Sequence, residues 1–358
     1  YLWHWPVIVL GKYIIFPKEP SEAILFLFFL ISIFLSIISY HFVEQPFRGK
    51  MGRKNFSPSF IFKSSFCVIL CFSIFLTYGI LKNGFEKRFS NEIISYDKQR
   101  LPGLEDYKKC DNLEINNECF VGYKSKLPET IIIGDSHLIS LAPALDRVLY
   151  HNKKSAKILI ASNCPPVINL HKWDRNFNCP SLRKKFKEFI KNSETIKNVM
   201  IVGVWEAYID KKDSLKLETI DELTLNTNAS DLISALDYTL NWLIEEKKIN
   251  VILFGDVPIY KKSVPFMHAH SLLFDRNFPS TNFKEHTQKN KKFYELINKY
   301  KNKKNFNFVD LAKIMCSENC ITNENKKSLY HDSNHLNLDG SLFLVESLLN
   351  EFKNHVNF

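Results

Sequence analysis

The feature that most restricts this chain is an unbroken run of uncharged residues, AILFLFFLISIFLSIISY, at positions 23–40. A bilayer core takes about 20 apolar helical residues to cross, and a run this long and this rich in Phe, Leu and Ile meets that length. A second run, positions 60–81, carries one charge, Lys63, near an end from which its amine can reach the interface. Residues 1–16 are apolar but too short to assign. Between the two spans, residues 47–54 (FRGKMGRK) hold four positive charges and no negative one. Such a loop stays in the cytoplasm. The second span then exits on the far side, and everything after residue 82 is extracytoplasmic. The expected location is the inner (cytoplasmic) membrane, multi-pass, with the C-terminal part outside, in the periplasm if the cell is Gram-negative.

The 45% hydrophobic content averages two unlike parts, because from residue 82 onward the 358-residue chain is rich in Lys and Asn. The net charge of +10 is spread over scattered pairs such as Lys184-Lys185 and Lys247-Lys248. No compact basic stripe with interleaved stacking aromatics is present, so no nucleic acid partner is expected. The chain opens on Tyr1-Leu2-Trp3-His4-Trp5-Pro6, without a start methionine or a signal-peptide pattern, and reads as a fragment. Cys67 and Cys71 fall inside the second span, as apolar residues. The other six cysteines form three local pairs, Cys110 with Cys119, Cys164 with Cys179, and Cys316 with Cys320. An even number outside the cytoplasm suits disulfides; six cysteines permit fifteen connectivities, and nearest-neighbour pairing is the expectation. Their spacings do not fit a metal site, and no metal is expected.

Residues 82–109 read as a polar linker with a turn at 101–103. Beyond them, strand patterns at 130–133, 156–161, 199–204, 250–254 and 306–309 alternate with helix patterns at 182–191, 232–247, 287–300 and 341–352. This alternation predicts an α/β domain with a mainly parallel sheet covered on both faces, and a site at the carboxyl ends of its strands.

Within that domain, Thr130-Ile131-Ile132-Ile133-Gly134-Asp135-Ser136-His137 reads as a buried strand, a sharp turn and a helix start. A serine there is exposed at the top of the sheet, beside helix N-terminal N–H groups that favour an oxyanion. Far downstream, Asp332 and His335 stand three apart before the last apolar helix, which allows a triad in chain order Ser136, Asp332, His335. Asp135 reads as a turn and cap residue, and Asp339, before Gly340, as a helix N-cap. Asp256 reads as structural. His137 either lines the site or faces solvent, and His268 and His270 fall in an expected loop. His4, among interfacial aromatics, and Glu44, at a helix end, read as positional.

The Gly-Asp-Ser and Asp-x-x-His blocks resemble the SGNH hydrolase and acyltransferase family. The opening Tyr1–Pro6 motif, the first span and Ser39-Tyr40-His41-Phe42-Val43-Glu44-Gln45-Pro46-Phe47-Arg48 resemble the C-terminal end of the acyltransferase-3 membrane family, one branch of which carries a further membrane helix and an extracytoplasmic SGNH domain. The resemblance implies a membrane-domain remnant at 1–50, a cytoplasmic loop and additional helix at 51–81, a linker at 82–109, and a three-layer SGNH domain at 110–358. It also implies Ser136 as nucleophile, His335 as base and Asp332 as its orienting acid. SGNH sites usually add a Gly and an Asn for the oxyanion. Here the corresponding blocks read Ala161-Ser162-Asn163-Cys164 and Gly203-Val204-Trp205, which makes Asn163, Gly203 and Trp205 the candidates beside the Ser136 N–H. The implied activity is O-acyl transfer, O-acetyl above all, to a surface glycan such as lipopolysaccharide or a lipid-linked oligosaccharide. Acetyl-CoA would serve the membrane part as donor, and the SGNH domain would bind no cofactor. The alternatives are a periplasmic carbohydrate esterase and a non-catalytic glycan-binding domain.

Overall fold

The computed structural model of the chain describes residues 2–45, 57–98, 104–111, 119–123, 127–172, 179–209, 215–217 and 232–355. The basic loop at 47–54 and the turn at 101–103 lie outside these residues. The chain divides into two compact units, residues 1–89 and 90–358.

The first unit is helical. α1 (His4–Ile15) packs on α2 (Glu22–Ser39), where Gly11 makes room for the Phe28 ring that any Cβ there would overlap. The Ser21 hydroxyl fixes the start of α2 by accepting the Ile24 N–H (3.4 Å). Ser57 does the same for α3 (Pro58–Leu81) through the Phe60 N–H (3.3 Å). Pro58 sits in the first turn of α3, where its missing N–H costs nothing. Ser32 and Ser36 return their hydroxyls to carbonyls one turn back, at 2.7 Å each, so these polar groups are satisfied within an apolar helix. α2 runs on into a π-helical turn, Tyr40–Glu44. The helix through residues 22–44 and α3 are each long and apolar enough to cross a membrane, and the apolar window of α3 is 0% buried in protein.

The second unit is built on six strands: β1 (Phe120–Gly122), β2 (Thr130–Gly134), β3 (Ser155–Ile160), β4 (Asn198–Val202), β5 (Asn250–Phe254) and β6 (Phe306–Val309). Their order is β1-β3-β2-β4-β5-β6, parallel throughout except for β1 at one edge. The main helices are α4 (Asn91–Lys98), α5 (Ser136–His151), α6 (Cys179–Asn192), α7 (Trp205–Ile209), α8 (Leu232–Asn241), α9 (Val264–Leu273), α10 (Lys291–Tyr300), α11 (Leu338–Phe343) and α12 (Val345–His355). Ile131 and Ile133 of β2 join Val199, Ile201, Val251 and Leu253 in one core with Phe186, Leu236 and Phe293 from the helices. The opposite face carries α5, backed by α11 and α12. With helices on both faces, all five β2 residues are buried, which is why that strand is continuously apolar rather than alternating. Pro143 lacks the N–H that would continue the hydrogen-bond ladder of α5, and the next N–H, of Ala144, donates to the Ser341 hydroxyl of α11 (3.0 Å).

All five expected strands are present. The structure departs from expectation in four places. β1 is a short edge strand with no apolar run to announce it. Residues 90–98 and 104–109 belong to the second unit rather than to a linker: Tyr96 and Leu104 are buried in it, two apolar anchors too sparse for periodicity to reveal. His268 and His270 lie on α9, because Pro265 occupies the first turn, where proline is compatible with a helix, instead of marking a loop. The N-cap of α11 is Asn337, whose Oδ1 accepts the Gly340 N–H (2.9 Å), while Asp339 is exposed on the first turn.

The three disulfides are Cys110–Cys119, Cys164–Cys179 and Cys316–Cys320. Cys164 and Cys179 are buried and close a 15-residue separation between the turn after β3 and α6. Replacing both by serine is expected to lower stability by about 3 kcal/mol. Urea unfolding of the two proteins under oxidising conditions tests this, and an unchanged midpoint would contradict it.

Candidate active site

The order of strands reverses direction at β2: β3 lies on one side and β4 on the other. In an open, doubly wound sheet this switch point leaves a crevice at the carboxyl ends of the strands. Ser136 follows β2 directly, as the first residue of α5. The turn between strand and helix is tightly specified. A Cβ at Gly134 would come within 2.6 Å of both Leu138 Cβ and the Val202 carbonyl oxygen, so only glycine fits. Asp135 adopts an extended conformation and caps α5, its Oδ1 accepting the His137 N–H (2.8 Å). Its Oδ2 accepts the Val204 N–H (3.0 Å) and the Tyr208 hydroxyl (2.7 Å), which ties the turn after β2 to the turn after β4. Burial pushes the Asp135 carboxyl above the usual range, and the three donors pull it back toward ionisation.

Ser136 Oγ lies 2.8 Å from His335 Nε2, and His335 Nδ1 lies 2.7 Å from Asp332 Oδ2. With the Nδ1 proton directed at the carboxylate, Nε2 is left as the acceptor for the serine hydroxyl. Asp332 Oδ1 accepts the backbone N–H groups of Asn334 (2.9 Å) and His335 (2.7 Å), so one carboxylate both shapes the loop and orients the ring. Burial is the largest influence on Asp332 and pushes its pKa up. The His335 hydrogen bond and charge, together with the two backbone donors, outweigh it and hold the carboxyl well below its ordinary value. The loop itself is closed by the His331 N–H donating to the His335 carbonyl (3.0 Å). It is held from below by the Tyr260 N–H to the Ser333 carbonyl and the Val264 N–H to the Asp332 carbonyl, each 2.9 Å. A Cβ at Gly340 would run into the Leu329 carbonyl, so the helix after the loop can approach this closely only with glycine there.

Two further imidazoles contact the His335 ring, His137 at 4.5 Å between centroids and His331 at 5.3 Å. His137 is buried, and burial, reinforced by the neighbouring His335, pushes its pKa well down, so it stays neutral. His331 places Nε2 3.4 Å from Asp332 Oδ2 and Nδ1 3.3 Å from the Leu336 carbonyl. Burial lowers its pKa and Asp332 partly restores it. Neither has a partner evident from sequence spacing alone; the only signal is adjacency to Ser136 and Asp332. His331, Asp332 and His335 bring ligand-type atoms within 4.8 Å of one another. Both His335 nitrogens are already committed, so a metal there would dismantle the Ser136–His335–Asp332 chain.

Of the expected oxyanion residues, Trp205 is excluded. Its backbone N–H donates to Asp256 Oδ1 (2.8 Å), its indole N–H to the Phe254 carbonyl (2.7 Å), and its buried ring stacks on Phe293. Asp256 also accepts the Glu206 N–H (2.7 Å), so the block where an Asn is usual serves to anchor α7. Burial drives the Asp256 carboxyl well above its ordinary pKa against the pull of these two donors. Gly203, on the turn after β4, packs against Pro166, where a Cβ would lie 3.0 Å from the ring. Asn163, on the turn after β3, is exposed and has φ +61°. Both turns flank the end of β2. The Ser136 N–H has no acceptor among the described residues, because Asp135 caps His137 instead. His268 is removed from this chemistry: its Nε2 pairs with Thr322 Oγ1 (3.0 Å), and burial lowers its pKa to about 4.

A serine at the end of a central strand, an Asp-x-x-His loop reaching it from the C-terminal side, and a doubly wound sheet define a Ser-His-Asp α/β domain. The family profile described as "SGNH domain (fused to AT3 domains)" matches residues 106–350, and the chain belongs to that family. No curated protein sequence matches it. Among solved structures, the fold is similar to the periplasmic domain of a Salmonella ser. Paratyphi A lipopolysaccharide acetyltransferase. That match has 16% identity and a TM-score of 0.51, and covers 73% of this chain and 100% of the other. A Streptococcus pneumonia protein named for platelet activating factor matches at 11% identity and TM-score 0.36, over 79% of this chain and 99% of the other, too distant to add to the fold assignment.

The charge of Asp332 has a pH consequence. Its folded pKa is depressed, so its stabilising contribution is complete above the unfolded value of about 4 and is lost as pH falls through the folded one. Urea unfolding of wild type and Asp332→Asn is expected to show a stability gap that is level from about pH 5 to 8 and narrows below about pH 4. A gap that widens on acidification would contradict an ionised Asp332.

Proposed function

We propose that this chain O-acylates, above all O-acetylates, a cell-surface glycan such as lipopolysaccharide, with Ser136 as the acyl-carrying nucleophile. The observation that carries this reading is the continuous chain from Ser136 Oγ through His335 to Asp332, with links of 2.8 and 2.7 Å. His335 takes the serine proton as Oγ attacks the acyl carbonyl, and Asp332 stabilises the imidazolium that forms. The oxyanion is held by the Ser136 N–H at the N-terminus of α5, with Gly203 and Asn163 as the further donors. His335 then returns the proton to the leaving group and deprotonates the sugar hydroxyl that accepts the acyl group.

Membership of the SGNH family whose members are fused to acyltransferase-3 domains supports a membrane partner domain, with residues 1–50 as the end of such a unit and acetyl-CoA as its cytoplasmic donor. The two apolar helices support an inner-membrane location with the SGNH domain in the periplasm. The acceptor would be a surface glycan or lipid-linked oligosaccharide. With water as acceptor, the same triad makes an esterase.

The full chain in detergent, given a serine-reactive phosphonate and an aryl acetate, is expected to be labelled and to turn over. Ser136→Ala should abolish both, and Asp332→Asn should lower turnover by about two to four orders of magnitude. Adding oligosaccharide acceptors should divert acetyl from water to sugar, as read by mass spectrometry. Release of acetate alone would favour the esterase, and labelling that survives Ser136→Ala would sink the nucleophile assignment.

A further inference from the structure

The triad loop is held in place by a segment that belongs neither to the sheet nor to the loop. α4 packs along α9, and Tyr96 on α4 is only 2% exposed. The Tyr96 ring stacks on His268 of α9 at 4.7 Å and 12°. The His268 ring in turn stacks on Phe278 at 4.2 Å and 19°. Three aromatic planes therefore lie nearly parallel, and the central imidazole is fixed through its Nε2 by Thr322 Oγ1 (3.0 Å). The Tyr96 hydroxyl accepts a hydrogen bond from Asn323 Nδ2 (3.1 Å), and Glu92 pairs with Lys326 (3.3 Å). α4 thus grips two elements together, α9 and the 322–328 segment.

The first of those elements is hydrogen-bonded to the triad loop, and the second leads into it along the chain. The first N–H of α9, from Val264, donates to the Asp332 carbonyl, and Tyr260 just before it donates to the Ser333 carbonyl. From the other side, the Leu329 N–H bonds the Thr322 carbonyl, and Leu329 leads into Tyr330 and the loop, with the Tyr330 ring edge-on to Tyr260 at 5.6 Å. Tyr96 therefore ties together the two supports on which Asp332 rests. His268 is well suited to stand between them, because burial keeps its ring neutral and its partner set fixed.

We infer that Tyr96, with α4, is a positioning residue for the Asp332–His335 loop, so that the segment following the two apolar helices in the chain sets the geometry of the triad. The inference deepens the proposed function and rests on Ser136 being its nucleophile. A misplacement of His335 by a fraction of the Ser136 contact costs rate without costing affinity, because the ring acts on the proton and not on substrate binding.

The test uses the full chain in detergent with Tyr96→Ala and Tyr96→Phe, at a temperature where circular dichroism shows each variant folded. Hydrogen–deuterium exchange is read at 330–336, which includes the Asn334 and His335 amides that bind Asp332, and at the sheet strands 130–134 and 250–254. For Tyr96→Ala, exchange at 330–336 is expected to rise about tenfold with the strands unchanged. Aryl acetate kcat is expected to fall about tenfold with KM constant. Tyr96→Phe, which keeps the stack, should restore most of both. Unchanged exchange at 330–336, or an equal rise across the strands, overturns the inference. Should Tyr96→Ala not fold, Tyr96→Leu, which keeps an apolar side chain but loses the aromatic stack on His268, must raise exchange at 330–336 for the inference to stand. Because exchange needs no turnover, an inactive wild type with the expected exchange pattern would defeat the proposed function and leave the positioning role intact.

Discussion

A single buried carboxylate, that of Asp135, fixes the half of the site that carries Ser136. It closes the turn after β2, caps α5 through the His137 N–H, and reaches across to the Val204 N–H on the turn after β4 and the Tyr208 hydroxyl on α7. Three donors on one desolvated group make each bond matter more than it would in water, since losing any of them leaves buried charge uncompensated. Asp256 repeats the device one strand further along, holding the Trp205 and Glu206 N–H groups. The carboxyl edge of the sheet is therefore laced by two acids that do no chemistry. Ser136 stands on the fixed backbone they create.

The other half of the site is built by a different set of contacts. Asp332 fastens its own loop through two backbone N–H groups and orients His335 with the remaining oxygen, so loop shape and ring orientation cannot vary independently. Around that pair, the rings of His137 and His331 lie against His335. Burial keeps His137 neutral, so it places no competing charge on that side of the His335 ring. The result is a base with both nitrogens assigned before any substrate arrives.

How much of this was legible depended on whether a residue's role is carried by its own sequence neighbourhood. β2 could be read because Ile131, Ile132 and Ile133 are followed at once by a glycine that no larger residue could replace. Ser136, Asp332 and His335 were legible because each stands at a boundary between an apolar element and a turn. The three cysteine pairs were local, so proximity in sequence sufficed. Trp205 misled for the opposite reason: its partners, Asp256 and the Phe254 carbonyl, come from a strand and turn about fifty residues away, and nothing near Trp205 announces that its N–H groups are spent. Tyr96 and Leu104 were hidden in a polar stretch, since a segment that docks through two side chains has no period. Asn337 and Asp339 are both good caps by composition, and Asn337 takes the role with an extended backbone and an Nδ2 bond to the Ser328 carbonyl.

The separation of 199 positions between Ser136 and His335 has a consequence for the order of events in synthesis. The strand, the turn and the serine are complete early, while the base and its acid arrive only with the segment that leads into α11 and α12. α11 is in turn locked to α5 through the Ser341 hydroxyl. During synthesis the domain thus carries a serine with no histidine yet beside it. The Ser136–His335 contact needs the last helices to pack against the first. A chain that stalls or is clipped before residue 332 keeps Ser136 but lacks both side chains that complete the Ser136–His335–Asp332 chain.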